Sequence, residues 1–138
     1  MHFARWVFWI SGVTGVLATV PGYFMETRTG QNFPPPITHP EYFYGFFGVT
    51  AAWQFLFLVI GTDPVRYRLA ILPALIEKGS FVAAILLLYS QERVASVWLV
   101  FASGDATWFV LFVIAYLKTP KQNHLTLPPG SDPRLSKS

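Results

Sequence analysis

Four long apolar blocks, separated by short polar segments, constrain the fold of this chain more than any other feature. They lie at about residues 3–23, 39–60, 67–89 and 94–117. Each block is long enough for a helix to cross a hydrocarbon core of roughly 30 Å, which takes about 20 residues. A segment inside a membrane must satisfy its own backbone hydrogen bonds. We therefore predict an all-α membrane protein, a four-transmembrane-helix bundle.

The composition agrees with a membrane protein and argues against a soluble or nucleic-acid-binding domain. Of the 138 residues, 53% are hydrophobic and only 12% are charged, whereas a soluble domain carries roughly 25% charged residues. The basic residues stand at the ends of the apolar blocks and form no stripe, so we predict membrane lipids, and no nucleic acid, as partners. The absence of cysteine excludes disulfides, thiol catalysis and iron–sulfur clusters.

The basic residues between the blocks predict the orientation of the bundle. Lysine and arginine concentrate in loops that face the cytoplasm, and one side of the predicted bundle has more of them than the other. We therefore expect both termini in the cytoplasm, a transmembrane domain over residues 1–118 and a polar, flexible tail over residues 119–138. The richer side has Arg5, Arg66, Arg68, Lys118 and Lys121, and the poorer side has Arg28 and Arg93.

The connections between the blocks contain clear turn and cap signals. Three consecutive prolines in residues 25–38 favour a stiff, extended path between the first two long helices. Residues 38–41 (THPE) match a capping box, which predicts Thr38 as the N-cap of the second of them. Pro73 removes a backbone hydrogen bond from the third block and predicts a kink beside Glu77.

Three ionisable residues, Glu77, Lys78 and Asp105, interrupt the third and fourth blocks. At 1.5 Å per residue, Glu77 and Asp105 lie about 15 and about 16 Å from the ends of their blocks, near the bilayer centre. A charge at that depth costs about 2.5–3.5 kcal/mol even on the lenient insertion scale. We therefore expect these side chains to find partners in the bundle interior.

Two interpretations of these residues stay open. In the first, Lys78 pairs with Asp105 or Glu77 and fixes the register of two helices, which is a structural role. In the second, the carboxyl left without a cation keeps a proton and serves as a proton donor, an ion ligand or an anchor for an amine. Because Glu77 and Lys78 point about 100° apart on a helix, we expect one to face a neighbouring helix and the other a cavity or a partner chain.

Aromatic residues at a similar depth predict the walls of a ligand site around Glu77, Lys78 and Asp105. Aromatic rings with a few convergent polar groups are the usual lining of a small-molecule pocket. The same rings also suit the packing of an aromatic-rich bundle, and the sequence assigns none of these residues a catalytic role. The candidate lining residues are Trp53, Gln54, Trp108 and Phe109.

A second candidate site lies at the start of the second block, where His39, Glu41 and Tyr44 are close in sequence. Histidine titrates near neutral pH, but these residues equally suit a helix cap with interface aromatics. The other histidines, His2 and His124, form no pair with His39 at helical spacing. We therefore predict no metal site and no cofactor.

Two segments, residues 38–45 (THPEYFYG) and 67–78 (YRLAILPALIEK), resemble small bacterial membrane proteins that have four transmembrane helices and no characterised function. The resemblance implies this fold and a bacterial inner (cytoplasmic) membrane, and it implies no activity. A looser likeness, in helix number and intramembrane acids, is to the emopamil-binding/sigma-2 receptor group. No motif of that group aligns here, so no site residue is carried over.

Three functions are compatible with these features. The first, which the polar groups at one depth favour, is a protein that binds, or also transforms, a lipophilic small molecule in an intramembrane pocket. The second is an accessory or structural subunit of a larger membrane complex or homo-oligomer, since four helices enclose little interior. The third is a component of a proton or ion pathway. The sequence does not decide whether the protein is an enzyme.

Overall fold

A computed structural model describes residues 2–121 and shows an all-helical protein with four long helices and one short one over that range. The four long helices are long and apolar enough to span a membrane, which indicates an integral membrane protein. A 3-10 turn over Arg68–Ala70 leads directly into the third long helix. The helices are α1 (His2–Tyr23), α2 (Glu26–Asn32), α3 (Pro40–Thr62), α4 (Ile71–Ser90) and α5 (Val97–Lys118).

The connection between α1 and α3 differs from the extended path that its prolines predict. Its first part forms the short helix α2, with Glu26 in the first turn, where a carboxylate interacts favourably with the helix dipole. The helix is capped at Phe33, because a proline at position 34 disfavours helical geometry in the residue before it. The prolines therefore shape only the second part of this connection.

The starts of α3 and α4 also differ from the prediction. The N-cap of α3 is His39, not Thr38, and no side chain bonds the first backbone N–H groups of the helix. Pro40 occupies the first turn of α3, where its missing N–H removes no helical bond. The α-helical part of α4 begins at Ile71, so Pro73 lies in the first turn, where proline is tolerated, and not in the helix interior.

The long helices pack in a spatial order that differs from their order in the chain. α1 packs most closely against α3 and also contacts α5, while α4 packs against α5. Because α3 and α4 touch only weakly, the bundle is open along the side between them. We call the end of the bundle that carries Arg5, Thr62 and Thr119 the terminal end, and the opposite end, which carries α2, the loop end.

The apolar core fills the half of the bundle nearer the terminal end. Three fully buried rings meet there, Phe8 of α1, Phe57 of α3 and Phe112 of α5. Phe8 stacks on Phe112 with ring centroids 4.4 Å apart, and Phe57 meets Phe112 edge-on at 5.0 Å. Stacked and edge-on pairs are the favourable arrangements of aromatic rings, so this cluster fixes three helices against one another. Buried aliphatic residues complete the core: Ala4, Val7, Ile60, Ile71, Ala74 and Ala115.

α1 and α3 approach each other closely because α1 presents small residues to α3. A Cβ atom at Gly12 would lie 2.6 Å from the side chain of Leu58, and one at Gly15 would collide with the side-chain oxygen of Gln54. Small residues at helix contacts are typical of membrane bundles, where van der Waals packing holds the helices together. Gly15 therefore makes the room that the buried amide of Gln54 occupies.

We expect Gly15→Ala to lower the free energy of unfolding by about 1–3 kcal/mol, because the added methyl group and the Gln54 side chain compete for the same space. Chemical denaturation in detergent micelles measures this change. Gly104→Ala is the matched control, since a Cβ atom at Gly104 meets no atom within 4 Å. Equal stability of the two variants would contradict the close contact.

The chain after α5 remains attached to the bundle at its first residue. Thr119 is buried, and its hydroxyl donates to the carbonyl of Ala115 at 2.7 Å. Arg68 Nε donates to the carbonyl of Thr119 at 2.8 Å, which ties this point to the start of α4. Thr119, the first residue of the predicted tail, is therefore held against the bundle, and residues 122–138 of that predicted tail lie outside the described part of the chain.

Candidate functional site

A cleft of about 420 Å³ opens between α3 and α4, and it extends from mid-helix towards the loop end. It exists because these two helices barely touch, while the apolar core closes the other half of the bundle. Its open side lies between two membrane-spanning helices, so a surrounding bilayer would bring lipid chains to it. We call it the acidic cleft. Its lining residues are Phe46, Val49, Thr50, Trp53, Glu77, Ser80, Phe81, Ala84 and Asp105.

The three ionisable residues predicted from the sequence meet at the wall of the acidic cleft. Lys78 Nζ lies 3.0 Å from Asp105 Oδ1 and 3.4 Å from Glu77 Oε2. The ammonium group therefore bridges a carboxylate of its own helix and a carboxylate of α5. We call these residues the ion triad. One cation faces two carboxylates, so the triad has an excess of negative charge when all three groups are ionised.

The side chains of the ion triad differ in exposure, and the lysine is the most buried of the three. The side chain of Lys78 is 6% exposed, that of Glu77 16% and that of Asp105 23%. Lys78 Nζ also lies 5.4 Å from the ring centroid of Phe57, within the range of a cation–π interaction. Protein thus encloses the cation, whereas both carboxylates belong to the cleft wall.

Helix geometry and side-chain length explain how the sequence assembles the ion triad. Neighbouring helical residues point about 100° apart, so Glu77 lines the cleft while Lys78 points into the bundle. The flexible four-carbon stem of lysine lets the ammonium group return towards Glu77. Asp105 joins them because α5 packs against α4. Lys78 therefore contacts both acids rather than one of them.

One oxygen of Glu77 is buried without a hydrogen bond. Among the described residues, Glu77 Oε2 is the buried side-chain oxygen that lacks a partner, because Lys78 Nζ, although 3.4 Å away, is outside hydrogen-bond geometry. The other oxygen of Glu77 accepts from Lys78 at 3.5 Å. A buried acceptor without a donor costs about 1–3 kcal/mol, and the ammonium group 3.4 Å away offsets part of this cost. Protein encloses Glu77 Oε2, so the carboxylate that a molecule in the cleft reaches more easily is that of Asp105, whose side chain is 23% exposed.

The remaining wall of the acidic cleft is mostly apolar. Phe46, Phe81 and Trp53 contribute aromatic surface, and Trp53 packs on Phe57 of the core with ring centroids 6.3 Å apart. Ser80 Oγ donates to the carbonyl of Glu77 at 3.0 Å, so its hydroxyl oxygen can still accept a hydrogen bond. An aromatic wall with a few polar groups at one end suits a molecule with an apolar body and a polar head.

Three predicted lining residues lie elsewhere in the bundle. Gln54 is buried on the side of α3 that faces α1, against Gly15. Trp108 packs on the apolar core, and Phe109 packs against Gly79 in the contact between α4 and α5. A similar depth in the membrane therefore did not bring these residues to the cleft, since they point in other directions around their helices.

Several residues that line the cleft were not predicted. They continue the faces of Trp53 on α3 and of Glu77 on α4 towards the loop end, at spacings of three, four and seven residues. Following these two faces beyond mid-helix is the sequence signal that would have found them. They are Phe46, Val49 and Thr50 on α3 and Ser80, Phe81 and Ala84 on α4.

The second candidate site, at the loop end, forms two separate pairs. His39 Nδ1 and Glu41 Oε1 are 3.1 Å apart, and both side chains are largely exposed, at 66% and 64%. Tyr44 instead donates its hydroxyl to Glu26 Oε2 at 2.8 Å and so ties α2 to α3. Of the two pairs, only Tyr44–Glu26 ties the connection between α1 and α3 to the bundle, and the structure does not gather the three predicted residues into one cluster.

Comparison of the chain with known protein families, with curated proteins and with solved structures found no match. The resemblance to small bacterial membrane proteins therefore stays a prediction. Function has to be argued from the acidic cleft and the ion triad themselves.

Proposed function

We propose that this chain is an integral protein of a bacterial cytoplasmic membrane, with both termini in the cytoplasm, and that it binds a lipophilic small molecule in the acidic cleft. The proposal rests on the position of the ion triad at the wall of a cleft that opens between two membrane-spanning helices. Charged groups at mid-membrane are costly. One carboxylate is enough to neutralise Lys78 in a structural ion pair. The second carboxylate is therefore available to bind a polar group of a ligand.

The polar head of this ligand is a hydrogen-bond donor, either neutral or cationic. The ion triad has one carboxylate in excess, and the side chain of Asp105 is 23% exposed in the cleft wall, so an O–H, N–H or ammonium group would be held there by a charge-assisted hydrogen bond. The apolar body of the ligand would lie against Phe46, Trp53 and Phe81. The cleft volume of about 420 Å³ falls in the range of roughly 300–1,000 Å³ for small-molecule sites.

We expect Glu77→Gln to lower the amount of lipophile that co-purifies with the protein by about tenfold, because a hydrogen bond to a charged group contributes about 1.5–3 kcal/mol. Mass spectrometry of small molecules, extracted from protein released gently from its own membranes, measures this amount per chain. Asp105→Asn is expected to act in the same direction. Glu92→Gln, in the exposed connection between α4 and α5, is the matched control. An unchanged lipophile content in Glu77→Gln would refute the role of the ion triad in binding.

A subunit role in a larger membrane assembly or homo-oligomer is a second candidate, and the outer face of α5 favours it. α5 has the smallest buried share of the four long helices. Ser103, Gly104 and Thr107 are exposed on it, and small residues mark helix–helix contacts in membranes. A specific cross-linked partner in native membranes would support this role, and a monomer with no partner would exclude it.

A proton or ion pathway through Glu77 and Asp105 is a third candidate, which the packing favours least. Between the ion triad and the terminal end, the rings of Phe8, Phe57 and Phe112 are fully buried. A polar path through one copy would have to cross this aromatic layer, and hydrophobic constrictions exclude ions by dewetting. A proton leak in liposomes above that of empty vesicles would reinstate this candidate.

A further inference from the structure

A second cavity, of about 300 Å³, lies at the terminal end of the bundle and shares no residue with the acidic cleft. Its wall is formed by the start of α1, the end of α3 with the loop that follows, and the residue after α5. Because three long helices begin or end here, lipid headgroups would surround this position in a membrane-inserted bundle. We call it the terminal cavity. Its polar lining residues are His2, Arg5, Thr62, Asp63 and Thr119.

Positive charge concentrates around the terminal cavity. Within residues 2–121, five lysines and arginines and one acid, Asp63, lie at this end of the bundle, whereas the loop end has two arginines and three acids. Such an asymmetric charge distribution attracts anions to one end. The basic residues of the terminal end are Arg5, Arg66, Arg68, Lys118 and Lys121, and the charged residues of the loop end are Glu26, Arg28, Glu41, Glu92 and Arg93.

Arg5 is the cation best placed to hold an anion inside the terminal cavity. Its side chain lines the cavity and, among the described residues, makes one hydrogen bond, from Nη2 to the carbonyl of Thr62 at 3.0 Å. A guanidinium group has five N–H donors in a planar fork that fits two phosphate oxygens. The carboxylate of Asp63 is tied into the loop, where it accepts the backbone N–H of Arg66 at 3.1 Å.

Arg68, by contrast, supports the fold of this region. Its Nε donates to the carbonyl of Thr119, and its guanidinium lies 3.9 Å from the ring centroid of Tyr116. These contacts fix Thr119, which is part of the cavity wall. The exposed side chains of Arg66 and Lys118 attract an anion through their charge, but no hydrogen bond to the described residues holds either side chain in a fixed position at the cavity. The site therefore combines one directed donor, Arg5, with a positive field.

Aromatic side chains near the start of α1 are exposed at the same end of the bundle as Arg5. Phe3 and Trp6 of α1 are 39% and 64% exposed, and Lys118 Nζ lies 5.1 Å from the ring centroid of Phe3. Tryptophan is enriched at membrane–water interfaces, where its amphipathic ring lies at headgroup level. The end of the bundle that carries the basic cavity therefore also carries exposed aromatic surface of the kind found at the headgroup level of a membrane.

We infer that the terminal cavity binds a phosphate-bearing anion, with Arg5 as the directed donor, and that the membrane supplies this anion as the headgroup of an acidic phospholipid. Basic pockets between transmembrane helices on the cytoplasmic side bind such headgroups. The inference is independent of the lipophile proposed for the acidic cleft, because the two cavities lie at different depths and share no lining residue.

The experiment compares phosphatidylglycerol, phosphatidylcholine and inorganic phosphate as probes on the purified full chain in a neutral detergent, by native mass spectrometry. We expect phosphatidylglycerol to bind at least about tenfold more tightly than phosphatidylcholine, and Arg5→Gln to weaken phosphatidylglycerol binding by about tenfold, as expected for a lost charge-assisted pair. Arg93→Gln removes the same charge at the loop end and is expected to change binding by no more than about twofold, since salt screens distant charges.

Equal losses for Arg5→Gln and Arg93→Gln would overturn the inference, because net charge alone would then explain the binding. Inorganic phosphate that binds as tightly as phosphatidylglycerol would overturn the lipid source. If Arg5→Gln does not fold, Arg5→Lys is the variant in which phosphatidylglycerol binding is measured. It keeps the charge and loses the planar fork, so we expect it to weaken phosphatidylglycerol binding by a few fold, on the order of threefold. Unchanged binding in Arg5→Lys would overturn the directed role of Arg5.

Discussion

Lys78→Met is expected to lower the free energy of unfolding by about 3–5 kcal/mol. The lysine ammonium lies 3.0 Å from a carboxylate oxygen of Asp105 and 3.4 Å from one of Glu77, in a side chain that is 6% exposed. Methionine has a similar length and no charge, so it leaves two carboxylates at mid-helix without a cation. Removing one partner of a buried ion pair is costly because the remaining charge is neither paired nor solvated.

Chemical denaturation in detergent micelles measures the loss. Lys118→Met is the matched control, because Lys118 is exposed at the end of α5, and we expect it to change stability by no more than about 0.5 kcal/mol. Adding Glu77→Gln and Asp105→Asn to Lys78→Met is expected to restore most of the stability, since neutral amides need no cation. A loss below about 1 kcal/mol in Lys78→Met, the size typical of an exposed pair, would show that the ion triad is not buried.

Phe112→Ala is expected to cost about 3–5 kcal/mol for a different reason, the loss of packing. The ring is fully buried, 4.4 Å from the ring centroid of Phe8 and 5.0 Å from that of Phe57. Its removal leaves a cavity where α1, α3 and α5 meet. Helices in a membrane are held by van der Waals contacts more than by hydrophobic force, so we expect no other interaction to offset this loss.

The same denaturation experiment tests this prediction against a matched position on α5. Phe101→Ala removes an identical ring from a side chain that is 52% exposed, so we expect a loss of less than about 1 kcal/mol. Similar losses in Phe101→Ala and Phe112→Ala would mean that the aromatic cluster is not the core of the bundle.

The four long helices were predictable because each depends mainly on its own sequence. An apolar block of membrane length has to form a helix, whatever its neighbours are. α2 was not predictable in this way, since it is short and tertiary contacts hold it, with Glu26 accepting a hydrogen bond from Tyr44 of α3. The prediction of a capping box at residues 38–41 was wrong. The helix begins one residue later than predicted, after His39, and no side chain forms a hydrogen bond that caps it.

The residues of the ion triad were predictable because charges inside an apolar block are costly and have to find partners. Their pairing was not. It depends on the flexible side chain of Lys78, whose ammonium group lies near both Glu77 on its own helix and Asp105 on α5. From the sequence, Lys78 was expected to pair with either Glu77 or Asp105. In the structure, the packing of α4 against α5 brings a carboxylate oxygen of each acid within 4 Å of the Lys78 ammonium group.

The walls of the cleft were only partly predictable, because depth and direction are separate properties of a helical residue. Trp53 and Gln54 have nearly the same depth, yet Trp53 lines the cleft and Gln54 packs against Gly15 of α1. Choosing between them requires the neighbours of α3. A helix that is apolar all round carries no amphipathic pattern that would reveal which face meets which neighbour.

Occupancy of the acidic cleft by a lipophile is tested most directly by native mass spectrometry of Ala84→Trp, released gently from its own membranes. Ala84 lines the cleft, so an indole there fills the space of a ligand, while the exposed neighbour Ala83 does not line it and serves as the matched position. We expect one discrete lipophile per chain on the wild type and on Ala83→Trp, and on the order of a tenth of that on Ala84→Trp. No discrete lipophile on the wild type, or equal occupancy in both variants, would contradict binding in the cleft.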